Sequence, residues 1–75
     1  MLLSEVQTDK KVLIKEINAD AILKKRLRAL GITKHIKAIV LEESLGKQNI
    51  KISIGSAEVA LRASEAKQIE VEEIK

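Results

Sequence analysis

The chain contains no proline and only three glycines, Gly31, Gly46 and Gly55, in 75 residues. Turn-forming residues are therefore scarce, and each glycine marks a place where the backbone is free to change direction. Between these marks the apolar residues fall into short stretches with a period of two. Ile50, Ile52 and Ile54 alternate with Lys51 and Ser53, the cleanest strand pattern in the chain. Val12–Ile17 is rich in β-branched residues, and Ile69 and Val71 alternate with Glu70 and Glu72. In Ile36–Glu43, Ile36, Ala38 and Val40 share one face while Ile39 and Leu41 share the other. A strand apolar on both faces belongs near the centre of a curled sheet. Ala57–Leu61 is the fourth of these five strands in chain order, with Gly55-Ser56 as a two-residue hairpin turn before it.

One segment changes period. From Ala21 to Leu30, Leu23, Leu27 and Leu30 recur at i, i+4 and i+7, which predicts a helix with one apolar stripe. Asn18 and Asp20 offer N-caps, Gly31 suits the left-handed residue after the helix, and Ile32 can fold back on Leu27. Two shorter helical turns are expected, one within residues 2–7 capped by Ser4 and one over Glu65–Lys67 capped by Ser64. Asp9-Lys10-Lys11 reads as a turn and Ser44–Asn49 as a loop around Gly46. Strands this closely spaced join as hairpins, and a small sheet curls to hide its edges. The expected fold class is mainly β: a small five-stranded barrel with one inserted α-helix and short helical turns, in one domain over residues 1–75.

Composition narrows function. There is no Phe, Tyr or Trp, so the chain lacks the aromatic platforms that bind single-stranded nucleic acid, each worth roughly 1–3 kcal/mol per stacked base. Proline-rich peptide grooves need the same rings. Cysteine is absent, which removes disulfides, thiolate metal sites and cysteine nucleophiles. His35 is the only histidine, and Glu42 and Glu43, as successive strand residues, point to opposite faces, so no metal site is expected. No phosphate-loop glycine spacing occurs and no acid–base pair is evident. We therefore expect neither a catalytic residue nor a cofactor. With no apolar run near ~18 residues and no signal-peptide pattern, a cytoplasmic protein is expected.

The net charge of +3 is unevenly spread. Residues 1–41 carry nine Lys/Arg against four Asp/Glu, and residues 42–75 carry five against seven. Lys24, Lys25 and Arg28 form a basic helix face, either a plainly solvated surface or one turned toward an acidic partner or an anionic membrane surface. Leu45 is a large aliphatic residue in an expected loop. It is either an isolated exposed apolar or, with Gly46 and Lys47, a contact for a partner. Arg62 and Glu65 either hold the following turn against a neighbouring strand or contact a partner.

Two stretches carry a family resemblance. Arg26-Leu27-Arg28-Ala29-Leu30-Gly31-Ile32 resembles the R-L-x-x-[LM]-G-[IF] helix end of FeoA proteins, and Ala60–Val71 resembles their A-L-R-x-x-E-A-x-x-I-x-V ending. Between them, Leu45-Gly46 and Ile50-Lys51-Ile52 sit where that family has its P-L-G-D-P-I-x-I loop and strand. The chain departs from the pattern in three loops: Thr33-Lys34-His35 replaces a Pro-Gly pair, Ser44 and Gln48-Asn49 stand where prolines flank Leu45-Gly46, and Asp9-Lys10-Lys11 lacks a glycine. The resemblance implies an SH3-like barrel that assists the ferrous-iron permease FeoB from its cytosolic side. The expected function is a non-enzymatic protein-binding adapter. The alternative is a regulatory module acting on a metal-dependent repressor, since a related domain ends some of those proteins. A nucleic-acid-binding barrel is the third reading, opposed by the missing aromatics. Exposed barrel edges could also pair copies into a weak homo-oligomer.

Overall fold

Alternating apolar residues build the sheet where period two requires it. The computed structural model describes residues 1–44, 46 and 48–74. Its strands are β1 (Lys11–Ile17), β2 (Lys37–Glu43), β3 (Asn49–Ile54), β4 (Ala57–Arg62) and β5 (Ile69–Ile74). Helix α1 (Ala21–Ala29) follows β1, the single turn α2 (Ala63–Ala66) joins β4 to β5, and a 3₁₀ turn (Leu3–Glu5) precedes β1. The strands form one antiparallel sheet in the order β4-β3-β2-β1-β5.

Inward-facing residues explain why the sheet curls. Val12 and Ile14, Ala38 and Val40, Ile50 and Ile52, Leu61, and Ile69 and Val71 are all at most 2% exposed and meet in one cluster. Each large aliphatic withdrawn from water contributes about 1.5–3 kcal/mol, and a flat sheet of this size would leave them wet. Register shifts between Ile14 and Glu16 and between Val40 and Glu42 give the bends, as bulges do. The result is the expected mainly β, SH3-like architecture. β2, apolar on both faces, lies at its centre, and β4 and β5 are its edges.

Helix α1 caps the open side of the core through Leu27, which is fully buried, with Leu23 packed beside it. The expected stripe is shorter than its sequence pattern. Leu30 is the C-cap of α1 and 37% exposed, because the chain turns away at Gly31 before Leu30 can reach the core. Gly55 has φ +59 and, with Ser56, closes the two-residue hairpin between β3 and β4. The two serine caps are not used. In the 3₁₀ turn the Glu5 carboxylate accepts the Leu2 N–H at 2.6 Å, and in α2 the Glu65 carboxylate accepts the Arg62 N–H at 2.9 Å. In both turns a carboxylate three residues on satisfies the N–H that precedes the helix, which leaves Ser4 and Ser64 no capping role.

Candidate protein-docking surface

The geometry of α1 sets where its charges point. Asp20 Oδ1 accepts the Leu23 N–H at 2.8 Å and fixes the first turn. At the other end the Ile32 N–H donates to the Leu27 carbonyl at 2.9 Å and the Gly31 N–H to the Arg28 carbonyl at 3.0 Å. This is a Schellman close, and it needs the left-handed φ of +89 that Gly31 supplies. With Leu27 held inside, Arg26 is directed toward α2, where its guanidinium pairs with the Glu65 carboxylate.

Glu65 is thus the anchor of its region, and it does two things. One oxygen takes the Arg62 N–H and the other takes Arg26. Its side chain is only 12% exposed, so it is the most shielded of the ion-paired carboxylates. The sequence pattern offers Arg62 and Glu65 together as anchors that hold the turn against a neighbouring strand or contact a partner. Arg62 contributes its backbone N–H, while its exposed side chain makes no ion pair among the described residues. Arg26, which sequence reasoning did not single out, is the ion-pair partner of Glu65. Each residue lies in one of the two family-type segments, but neither segment's pattern says that they meet.

The basic face of α1 looks elsewhere. Lys24 and Arg28 are one turn apart, and Arg26, two residues from each, lies on the opposite side of the helix. Lys24 and Arg28 join Lys34, Thr33, Glu16, Ile17 and Ile32 around a shallow cavity of about 200 Å³. Three cations and one carboxylate surround a floor made by the buried Ile17 and Ile32. Lys34 Nζ lies 3.1 Å from Glu16 Oε1. Its hydrogen bond, helped by its charge, by the Ile17 N–H and by the charge of Lys24, holds the Glu16 carboxyl below its ordinary value of 4.5. Lys25 is exposed beside this face.

Gly46, at φ +78 and exposed, sits in the β2–β3 loop. Leu45 and Lys47, the other two expected contacts there, lie outside the described residues. The base of the loop is closed by the Asn49 N–H donating to Ser44 Oγ at 2.9 Å. The Ala63 N–H donates to the Gln48 carbonyl at 2.8 Å, so this loop is tied to the β4–α2 junction. The structure therefore brings the loop base, Arg62 and Glu65 together at one end. No hydrogen bond or ion pair joins Lys24, Lys25 or Arg28 to them among the described residues. His35 is exposed, with φ +69, and its N–H donates to the Ile14 carbonyl at 2.7 Å. Among the described residues no helix is long and apolar enough to cross a membrane, and no three metal-binding side chains cluster.

A five-stranded antiparallel sheet curled round an aliphatic core, with a helix inserted after the first strand, defines a small barrel of the SH3 type. The sequence profile of the FeoA domain matches residues 1–73, and the chain belongs to the FeoA domain family. A Helicobacter pylori protein named "Putative Fe(2+) transport protein A" is 38% identical over 74 residues, covering 97% of each chain. The structure of Stenotrophomonas maltophilia FeoA complexed with zinc, described as a prokaryotic SH3 domain protein, superposes with a TM-score of 0.82. It is 28% identical, over 96% of this chain and 89% of that one. A manganese-dependent transcriptional repressor superposes with a TM-score of 0.90 at 23% identity, over 99% of this chain but 41% of that one, a likeness of fold alone.

Proposed function

We propose that this chain is a protein-binding adapter of ferrous-iron uptake that docks on the cytosolic side of the FeoB permease and acts by contact alone. The observation that carries the reading is the family match over residues 1–73 together with a relative, covered almost end to end, that is named for Fe(2+) transport. The basic rim of Lys24, Arg28 and Lys34 around the shallow cavity, with Lys25 beside it, suits an acidic partner surface. Leu45, Gly46, Lys47 and Arg62 form the second part of the proposed contact, with Glu65 fixing its base. Nucleotide hydrolysis in such a complex belongs to the partner. In the cell the adapter is recruited to the inner face of the membrane by this contact.

The test is a tagged pull-down from detergent-solubilised membranes of cells that express the permease, with a Lys24→Glu/Arg28→Glu variant alongside. Wild type is expected to recover a large GTP-binding membrane protein. The variant should recover at least about tenfold less, and added salt should weaken the wild-type contact in the same direction. Recovery of soluble transcription factors alone would remove the permease reading and favour the regulatory one.

A further inference from the structure

We propose that β4 pairs with β4 of a second copy, antiparallel and centred on Ala60, so that two barrels share one continuous sheet. This goes beyond the adapter reading and does not depend on it.

The argument begins with which backbone groups of β4 are occupied. Residues along an antiparallel strand alternate between bonding one neighbour and bonding the other. The hairpin at Gly55-Ser56 makes Ile54 and Ala57 a facing pair, and the next odd position beyond the strand, Ala63, donates to Gln48. Odd-numbered residues therefore bond β3, and the N–H and C=O groups of Glu58, Ala60 and Arg62 point outward. The Arg62 N–H confirms the direction, since it donates to Glu65 on the far side. Among the described residues nothing bonds the outward groups of Glu58 and Ala60.

The side chains of those residues are also arranged for one partner. Glu58, Ala60 and Arg62 share the exposed face, while Val59 and Leu61 are buried at 8% and 1%. A two-fold axis at Ala60 sets Glu58 opposite Arg62 of the second copy, Arg62 opposite its Glu58, and alanine against alanine. Opposite charges directly across a strand pair are favourable. A slip of two residues leaves each charge facing an uncharged residue, and a slip of four sets Glu58 on Glu58 or Arg62 on Arg62. The charge pattern thus selects one register. Lys51 lies 3.4 Å from Glu58 and 3.3 Å from Glu42, so the pairing would extend a ladder of alternating charge across the joined sheet. The ladder ends where Glu65 occupies the Arg62 N–H.

So short an edge makes a weak contact, with a dissociation constant on the order of 100 µM or above. The experiment is sedimentation equilibrium of the purified chain over a concentration series reaching the millimolar range, with circular dichroism to verify the fold of each variant. Wild type should form dimers. Glu58→Arg and Arg62→Glu should each weaken dimerisation at least about tenfold, and the Glu58→Arg/Arg62→Glu double variant should return to within about twofold of wild type. Recovery in the double variant could not come from the Lys51–Glu58 pair, which that variant also lacks. Ala60→Pro removes an outward N–H that β3 does not use, so it should abolish dimerisation with the barrel intact. A wild type that stays monomeric throughout the series overturns the proposal, as does a double variant no better than the singles.

Discussion

The two edges of the sheet are handled in opposite ways. At β5 the N-terminus lies over the outward groups: the Val71 N–H donates to the Met1 carbonyl at 2.8 Å, the Met1 ammonium donates to the Val71 carbonyl at 3.3 Å, and Leu2 bridges to Glu70. What remains of that edge carries Glu72 and Glu73, whose charges are drawn to Lys15 at 3.6 Å and Lys10 at 3.9 Å. A like-charged edge already half covered offers little to another strand. At β4 the charges are mixed and complementary about Ala60, and among the described residues the only stop is the carboxylate of Glu65 at the strand's end. One sheet thus has an edge closed by its own chain and an edge left open with a charge pattern that complements itself.

The comparison is broken most severely through Leu3. This residue is fully buried, in the 3₁₀ turn that packs on β5 and α2 and holds the N-terminus over the β5 edge. Leu3→Ala should cost about 2–5 kcal/mol, a large share of a total stability on the order of 5 kcal/mol for a domain of this size. Urea denaturation measures the loss. Faster hydrogen exchange at Val71 in the folded variant would show that the covered edge has opened. A loss under about 1 kcal/mol would mean the N-terminus is held by its backbone bonds alone.

The next effect falls at the stop on β4. Glu65→Ala removes the acceptor of the Arg62 N–H and strands Arg26, for an expected cost of about 1–2 kcal/mol. Arg26→Ala should cost less than about 1 kcal/mol, because half of that side chain is already in water. Hydrogen exchange at Arg62 should quicken in Glu65→Ala, whereas Ala63, bonded to Gln48, should hold. Equal costs for the two substitutions would show that the ion pair, and not the cap, is what Glu65 provides.

The contrast between local and distant contacts also explains how much could be read beforehand. The five strands were legible because alternation is a local property, and the Schellman close at Gly31 and the hairpin at Gly55 because only glycine enters those conformations cheaply. The caps were misjudged at Ser4 and Ser64 because a serine advertises its own oxygen, whereas Glu5 and Glu65 reach back three residues to a Leu and an Arg with no capping side chain of their own. Leu30 continued the apolar stripe in sequence but lies past the point where the chain leaves the core. The basic face of Lys24 and Arg28 follows from helical spacing. That Lys34 and Glu16 complete its rim depends on how β1 and the loop before β2 are placed, and no periodicity carries that information. The Arg26–Glu65 pair joins α1 to α2, two segments whose individual patterns say nothing of their meeting.

The smallest expected effect lies away from both edges and so serves as their control. Glu16 is a surface carboxylate on β1 whose pKa is held below 4.5 mainly by the hydrogen bond from Lys34. Because the folded value is the lower one, this pair stabilises the fold above about pH 4.5, and the contribution is lost as pH falls through the folded value. In Lys34→Met the Glu16 carboxyl should titrate closer to 4.5, followed by carboxyl-carbon NMR, and the variant should lose that part of its acid sensitivity. Exchange at Val71 and Arg62 should not change, since neither edge uses Lys34. A Glu16 that still titrates as low in Lys34→Met would move the cause to the Ile17 N–H and, after it, to Lys24, both of which line the same cavity. The whole rim of the cavity, not one pair, would then set the charge that a partner meets.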